Sequence, residues 1–292
     1  MIRSILKASR PVSWINTAFP FAAGYLMATR EIDAKVVVGT LFFLVPYNLL
    51  MYGVNDVFDY ESDLRNPRKG GIEGDVITDR ERARLVHRGI LVASAVTVMP
   101  FGIWLVLQGT VAAAITLALV IFGVVAYSAP GLRFKERPGL DSLTSALHFA
   151  GPLIYALVLA GVSLAEPTVW PVWVAFILWG MASHAFGAVQ DVKADREAGI
   201  GSIATALGAR GTVWLALVLY AASAAVLLFL PWPLLLAAIL PLAYVASVAR
   251  FTSVTDETCE RANAGWRTFL WLNQPVGFVV TLVLIAVWNG WA

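Results

Sequence analysis

The sequence predicts an all-α membrane protein, a polytopic bundle of nine transmembrane helices with its N-terminus cytoplasmic and its C-terminus outside. Three observations carry that expectation. The 292 residues are 59% hydrophobic and only 14% charged, far from the balance of a soluble domain. Apolar runs long enough to cross about 30 Å of hydrocarbon recur from end to end of the chain. The basic residues also sort by loop: every lysine and arginine except Arg30 and Lys35 falls in the N-terminal segment or in every second loop after it. Basic loops stay in the cytoplasm, so the pattern sets orientation as well as the number of crossings.

The expected spans are 12–29, 36–54, 87–107, 110–128, 142–163, 169–189, 211–229, 232–250 and 269–289. The first lacks a small-residue cleavage pattern after a short apolar core and reads as a retained span. The second runs directly into the acidic stretch Asn55-Asp56-Val57-Phe58-Asp59-Tyr60-Glu61-Ser62-Asp63. The third to fifth are sharply bounded, and the sixth runs into Asp191-Val192-Lys193-Ala194-Asp195. Pro46, Pro100, Pro152, Pro241 and Pro275 lie inside or at the edges of spans, where each removes a backbone donor and bends its helix. Ordinary packing irregularity is the first reading of those bends, and the opening of a central cavity the second. Trp170, Trp173, Trp288 and Trp291 fall at outer span ends, where indoles anchor at the interface. Spans two and six share an organisation: an aspartate motif, then a polar loop with basic residues and glycine. That echo points to two four-helix halves closed by a ninth helix, with residues 1–292 forming a single domain. A lone cysteine, Cys259, excludes an internal disulfide and a cysteine zinc site, and reads as an inert loop thiol. The net charge of +2 follows topology rather than one patch, which argues against a nucleic-acid partner.

Carboxylates are costly near hydrocarbon, so concentrating them at the ends of apolar segments points to use. At 100° per residue, Asp56, Asp59 and Asp63 share a helix sector of about 60°, and Asp191 and Asp195 lie about 40° apart. If the two faces oppose, five aspartates make a cage for hard divalent cations. Mg²⁺ fits best, since it prefers oxygen ligands, retains waters and is usually completed by substrate phosphates. Metal ions and cationic side chains can then hold a departing pyrophosphate. Arg65, Arg68, Lys69, Arg133, Lys135, Lys193 and Arg196 flank the clusters as candidates for that cradle, arginine by its fork and lysine as a point charge. Asn16 and Asn55 add neutral oxygen ligands or amide donors. Glu61 points about 140° away from Asp56 and reads as solvated. A carbocation left behind needs an electron-rich pocket, for which Trp14, Phe58, Tyr60, Tyr127, Trp179 and Phe186 are placed. His148 and His184 lie within spans; a hydrogen-bonded structural role is the first reading, and late proton removal the second.

The paired motifs Asn55-Asp56-x-x-Asp59-x-x-x-Asp63 and Asp191-x-x-x-Asp195, each at the cytoplasmic end of a span, resemble those of the UbiA superfamily of intramembrane prenyltransferases. The resemblance covers about residues 8–290. It includes Arg10-Pro11, Asn16, Tyr127-Ser128, Lys135, Asp195-Arg196-x-x-Gly199-Ile200 and Gly208. It implies Mg²⁺ held by Asp56, Asp59, Asp63, Asp191 and Asp195. It also implies a diphosphate site drawing on Asn16, Asn55, Arg65, Arg68, Lys69, Tyr127 and Lys135, in a cavity open laterally to lipid. Within that superfamily, Pro46-Tyr47-Asn48 through Asp63, Arg65-Asn66-Pro67-Arg68-Lys69-Gly70-Gly71, Tyr127-Ser128-Ala129-Pro130 and Arg133-Phe134-Lys135-Glu136-Arg137-Pro138 are most similar to lycopene elongases. The expected reaction is therefore transfer of a dimethylallyl group from dimethylallyl diphosphate to the ends of lycopene, with the resulting tertiary cation quenched by water or proton loss. The expected location is the cell membrane, with the active site opening to the cytoplasmic side.

Two other readings stand beside this one. The first keeps the chemistry and changes the acceptor to a quinone precursor or other aromatic. An aromatic acid asks for an isolated cation deep in a span, and the sequence has none. The second is a membrane cation transporter, which predicts carboxylates near the bilayer midplane rather than at span ends.

Overall fold

The structure, a computed structural model, describes residues 1–60, 64 and 77–291. Its regular elements are α-helices and short 3₁₀ turns, with no strand among the described residues. Eight helical stretches among them are long and apolar enough to cross a membrane: Ala34–Phe58, Arg80–Gln108, Val111–Ser128, Leu140–Leu159, Trp170–Val189, Ile203–Leu227, Leu234–Phe251 and Asp256–Trp288. They fall on eight of the nine expected spans. The span expected at 12–29 forms a shorter helix, Ile15–Thr29, of 15 residues. Two helices begin well before their apolar windows because caps, not hydropathy, set their starts. Asp79 accepts from the N–H groups of Glu81 and Arg82 and opens Arg80–Gln108 within a charged stretch. Ser202 and Thr205 form a reciprocal capping box that opens Ile203–Leu227.

The described residues cluster into two compact units. The first holds Met1–Arg133 and Gly151–Val162. It contains α1 (Ile2–Ala8), α2 (Ile15–Thr29), α3 (Ala34–Leu44), α4 (Pro46–Phe58), α5 (Arg80–Gln108), α6 (Val111–Ser128) and the second half of α7 (Leu140–Leu159). Asp33 caps α3, accepting from the N–H groups of Lys35 and Val36, and it also accepts from the Tyr25 hydroxyl. Burial opposes ionisation there, yet those three donors hold the Asp33 carboxyl below the usual carboxylate range. Helix α3 passes close to α2 at Gly39, where a Cβ would stand 2.1 Å from the Phe21 ring. That approach lets Phe21, Phe42, Phe43, Tyr47 and Tyr155 stack into a fully buried aromatic core.

The expected bend at Pro46 is present and divides α3 from α4. Proline has no N–H, so carbonyls near the break lose helical partners in a region where water cannot replace them. The buried Asn48 amide donates to the Phe43 and Leu44 carbonyls at 2.7 and 3.1 Å and to Thr17 Oγ1 at 2.7 Å. Thr17 in turn donates to the Phe43 carbonyl at 2.7 Å. The break is thus sealed by side chains from α2 and α4.

The second unit holds Phe134–Ala150 and Ser163–Ala292. Besides the first half of α7 it contains α8 (Trp170–Val189), the one-and-a-half-turn α9 (Val192–Glu197), α10 (Ile203–Leu227), α11 (Ile239–Val248) and α12 (Ala262–Trp288). Helices α8 and α10 pack along their lengths, with Ala182, Phe186, Val189, Val213, Ala216 and Tyr220 inside. Small residues let α8 meet its neighbours: a Cβ at Gly180 would stand 2.9 Å from the Ala146 Cβ on α7. Cys259 is fully buried in a 3₁₀ turn, its Sγ 3.6 Å from the Gln190 carbonyl, rather than in a loop. Trp288 and Trp291 are exposed at the end of α12, as interfacial anchors require.

Candidate active site

The first aspartate motif sits where α4 ends. The sequence expectation ran one helix through all three aspartates, but α4 stops at Phe58 and Asp59 is its C-terminal cap, with φ −99° and ψ 2°. Asp59 still donates its N–H to the Asn55 carbonyl at 2.9 Å, so Asn55, Asp56 and Asp59 share the final turn. Glu61, Asp63, Arg65, Arg68 and Lys69 lie outside the described residues.

Each described aspartate of this motif faces an arginine. Arg10 Nη2 donates to Asp56 Oδ1 at 3.2 Å, and its guanidinium lies 4.3 Å from the centre of the Tyr52 ring. Arg133 Nη2 lies 3.7 Å from Asp59 Oδ1. Both arginines adopt left-handed backbone, φ 48° at Arg10 and 39° at Arg133. Such strained geometry in non-glycine residues clusters at functional sites. The carboxylates are only 14% and 10% exposed, so each sits beside a cation largely away from bulk water. Ser128, at the end of α6, donates to Asn55 Oδ1 at 2.7 Å and fixes the amide next to Asp56. Tyr127 is the half-buried residue before it. Asn16 is exposed on the first turn of α2. Arg10 and Ser128 entered the sequence reading only through the family resemblance; the structure shows what they touch.

The second motif straddles a break. Helix α8 ends at Val189, and Asp191 is the N-cap of α9. Asp195 donates its N–H to the Asp191 carbonyl at 2.8 Å, which keeps the two aspartates one turn apart. Lys135 is half-buried in the 3₁₀ turn Phe134–Glu136. That turn lies against the loop after the motif: a Cβ at Gly201 would stand 2.6 Å from the Glu136 carbonyl. The Lys135 turn therefore abuts Gly201, six residues after Asp195. Lys193 is exposed on α9.

Arg196 does something other than line a free cradle. Its guanidinium bonds the Asp256 carboxylate and the Thr205 carbonyl, the latter at 2.9 Å from Nη2. Asp256 also accepts from the Ala209 N–H at 2.6 Å. Gly208 has φ 72°, and a Cβ there would lie 3.0 Å from Asp256 Oδ1, so glycine suits both the backbone and the space. The result is a latch between α9, α10 and the turn before α12.

A second acid that sequence reasoning passed over is Asp141, fully buried in the first turn of α7. Its Oδ1 accepts from the N–H groups of Gly139 and Ser142, both at 2.8 Å, and Oδ2 from the Ile203 N–H at 2.7 Å. His184 Nε2 stands 3.7 Å from Oδ2. Both Asp141 and Asp256 follow helix-start patterns, so the sequence signals a capping acid but not the distant partner. Among the aromatic candidates, Trp14 donates to the Ser9 carbonyl at 3.0 Å, and Tyr60 donates to the Ile77 carbonyl at 3.0 Å with its ring edge-on to His87. Phe186 is core, whereas Trp179 joins Tyr244 and Phe269 in an aromatic cluster. His148 is buried in α7.

Within either unit, no three acidic, histidine or cysteine side chains among the described residues converge as a complete metal site. The donor chemistry still fits a hard cation: carboxylates paired along one helical turn, with a side-chain amide beside them.

The profile of the UbiA prenyltransferase family matches residues 17–273. The chain is 50% identical over 286 residues to a lycopene elongase/hydratase of Corynebacterium glutamicum, covering 98% of both proteins. It is 56% identical to the C(50) beta-cyclic carotenoids biosynthesis protein LbtBC of Dietzia sp., covering 99% of this chain and 66% of that one. Among solved structures, a UbiA homolog from Archaeoglobus fulgidus bound to DMAPP and Mg²⁺ is 17% identical with a TM-score of 0.63, covering 94% of this chain and 98% of that one. A digeranylgeranylglyceryl phosphate synthase gives a TM-score of 0.65 at 16% identity, covering 99% and 98%. All-helical architecture, apolar spans, paired aspartate motifs and a matched profile agree: the chain is an integral membrane enzyme that belongs to the UbiA prenyltransferase family.

Proposed function

We propose that the protein transfers dimethylallyl groups from dimethylallyl diphosphate to the ends of lycopene, with water or proton loss quenching the product cation. The observation that carries the reaction class is the Asn55–Asp56–Asp59 turn, with a half-buried and a buried carboxylate each faced by an arginine. The acceptor rests on the full-length identity to the Corynebacterium lycopene elongase/hydratase. We read Asp56, Asp59, Asp63, Asp191 and Asp195 as the residues that hold Mg²⁺. Bound Mg²⁺ supplies charge neutralisation for the departing pyrophosphate. Arg133 and Lys135, with Asn16, Asn55, Arg65, Arg68, Lys69 and Tyr127, bind and orient the diphosphate. Arg10 and Ser128 hold Asp56 and Asn55 in register. Arg196 serves the latch with Asp256 instead. The enzyme lies in the cell membrane and takes its diphosphate from the cytoplasmic side, where the basic loops belong.

Membranes containing the protein, supplied with Mg²⁺, dimethylallyl diphosphate and lycopene, are expected to yield carotenoids heavier by one and two five-carbon units. EDTA or Asp56→Ala should lower turnover at least a hundredfold, as expected when transition-state charge loses its stabilisation. Chromatography with mass spectrometry reads both. Absence of such products from folded wild-type protein would refute lycopene as acceptor, and undiminished turnover by folded Asp56→Ala would refute the motif's role.

A further inference from the structure

We propose that His184, backed by Asp141, accepts the proton released when the carotenoid cation is quenched. The pair thereby sets whether the product carries a hydroxyl group or a new double bond. The inference rests on the reaction put forward above and supplies a residue for its last step.

Position is the first argument. His184 lies seven residues before Asp191, about 10 Å along the axis and within about 20° around it. The α-helix ends at Val189, but Gln190 and Asp191 keep right-handed backbone, the Asp191 N–H bonding the Ala188 carbonyl in a tighter turn, so the two side chains stay on broadly the same face. A donor whose diphosphate is held at Asp191 extends its five carbons inward along that face. The new carbon–carbon bond, and the cation it leaves, therefore form below the aspartates, toward His184.

The environment is the second argument. Asp141 is fully buried, whereas the His184 side chain is 20% exposed between buried Ser183 and Ala185. The pair has one closed side and one open side. Asp141 needs no histidine to be anchored, because three backbone N–H groups already bind it. His184 Nε2 faces this carboxylate, and Nδ1 makes no hydrogen bond to any described residue. A neutral imidazole with its N–H turned to Asp141 presents the Nδ1 lone pair outward, and the imidazolium formed on protonation faces a carboxylate. Gly180, one turn back on α8, permits the close α7 contact that places the imidazole there.

The step balances without an oxidant or reductant. The C1–O bond of the donor breaks with its electron pair leaving on pyrophosphate. The terminal π pair of the acceptor forms the new C–C bond and leaves a tertiary cation. In one branch, a water lone pair closes a C–O bond and the water's proton passes to Nδ1. In the other, the adjacent C–H pair becomes the new double bond and that proton passes to the same nitrogen.

The test compares wild type, His184→Gln and His184→Ala in membranes with Mg²⁺, dimethylallyl diphosphate and lycopene. Readouts are pyrophosphate release, donor KM and the ratio of hydrated to dehydrated product. Both variants are expected to lose about a hundredfold in kcat, the usual scale of general-base catalysis. Their hydrated-to-dehydrated ratio should move at least tenfold while donor KM stays within twofold, and added imidazole should partly restore His184→Ala. Unchanged kcat and ratio in the variants, or a raised donor KM with the ratio intact, overturns the proposal. So does failure of imidazole to rescue both rate and ratio in a folded His184→Ala. Wild type that makes no elongated carotenoid refutes the underlying reaction, and this inference with it; wild type that elongates beside indifferent variants refutes the inference alone.

Discussion

At the residue scale, the cations near the two motifs separate into different tasks. Arg133 faces a nearly buried carboxylate at 3.7 Å, whereas Lys135 sits in a half-buried turn against the loop after the second motif. A point charge that only attracts diphosphate contributes mainly to donor binding. Lys135→Ala should therefore raise donor KM about tenfold, worth about 1.4 kcal/mol, with kcat little changed. Arg133→Ala also leaves Asp59 without its guanidinium, so kcat and kcat/KM should fall together, and Arg133→Lys should restore only part because lysine lacks the fork. Initial-rate kinetics over donor concentration distinguish the two patterns. Equal effects of both alanine variants on KM alone would reduce Arg133 to a binding charge. By contrast, the Arg196 guanidinium is already committed to Asp256 and the Thr205 carbonyl, so its loss is felt first by the α9–α10 latch.

At the element scale, the instructive feature is the break between α3 and α4. An isolated Pro46 would leave carbonyls unsatisfied at membrane depth, and Asn48 with Thr17 closes that deficit. Asn48→Leu keeps the apolar volume but strands the Leu44 carbonyl, while Thr17 keeps its own bond to the Phe43 carbonyl. The cost should be about 1–3 kcal/mol for the stranded group, seen as a lower Tm in detergent. If Asn48→Leu melts with wild type, the side-chain seal is not what holds the break. The break was legible in the sequence because proline's chemistry is local; its repair was not, because Thr17 is 31 residues from Asn48. The same division recurs at the site. Spacing in the two aspartate motifs was readable, as helical periodicity is local. Yet the sequence did not show α4 ending at Phe58, nor Asp191 falling at a helix start. Nor did it announce the pairs Arg10–Asp56 and Arg196–Asp256, separated by 46 and 60 residues, because side-chain pairing at that range is set by packing rather than by pattern.

At the scale of the whole molecule, span positions were the most legible property, since hydrocarbon imposes both length and apolarity on every crossing helix. Nine crossings rather than eight depend on α2. Its 15 residues give about 22 Å of rise, and the 3₁₀ turn Pro11–Ser13 before it adds about 6 Å, close to the hydrocarbon thickness. Charge gives an independent argument. Arg3, Lys7 and Arg10 precede α2, Arg30 and Lys35 follow it, and Arg80, Arg82, Arg84 and Arg88 come after the next crossing. If basic loops are cytoplasmic, α2 must cross, so that Arg30 and Lys35 alone face outward. Cys259 is the sole cysteine and is buried, so Cys259→Ala gives a background for placing single thiols. In that background, Lys35→Cys should react with an impermeant maleimide added to intact cells. Arg3→Cys and Arg82→Cys should react only after the membrane is opened. Labelling of Lys35→Cys only after permeabilisation would mean that α2 lies on the cytoplasmic face without crossing. The number of crossings would then be eight, and Asp33 with the α3 start would lie on the face opposite the aspartate motifs, because Ala34–Phe58 crosses between them.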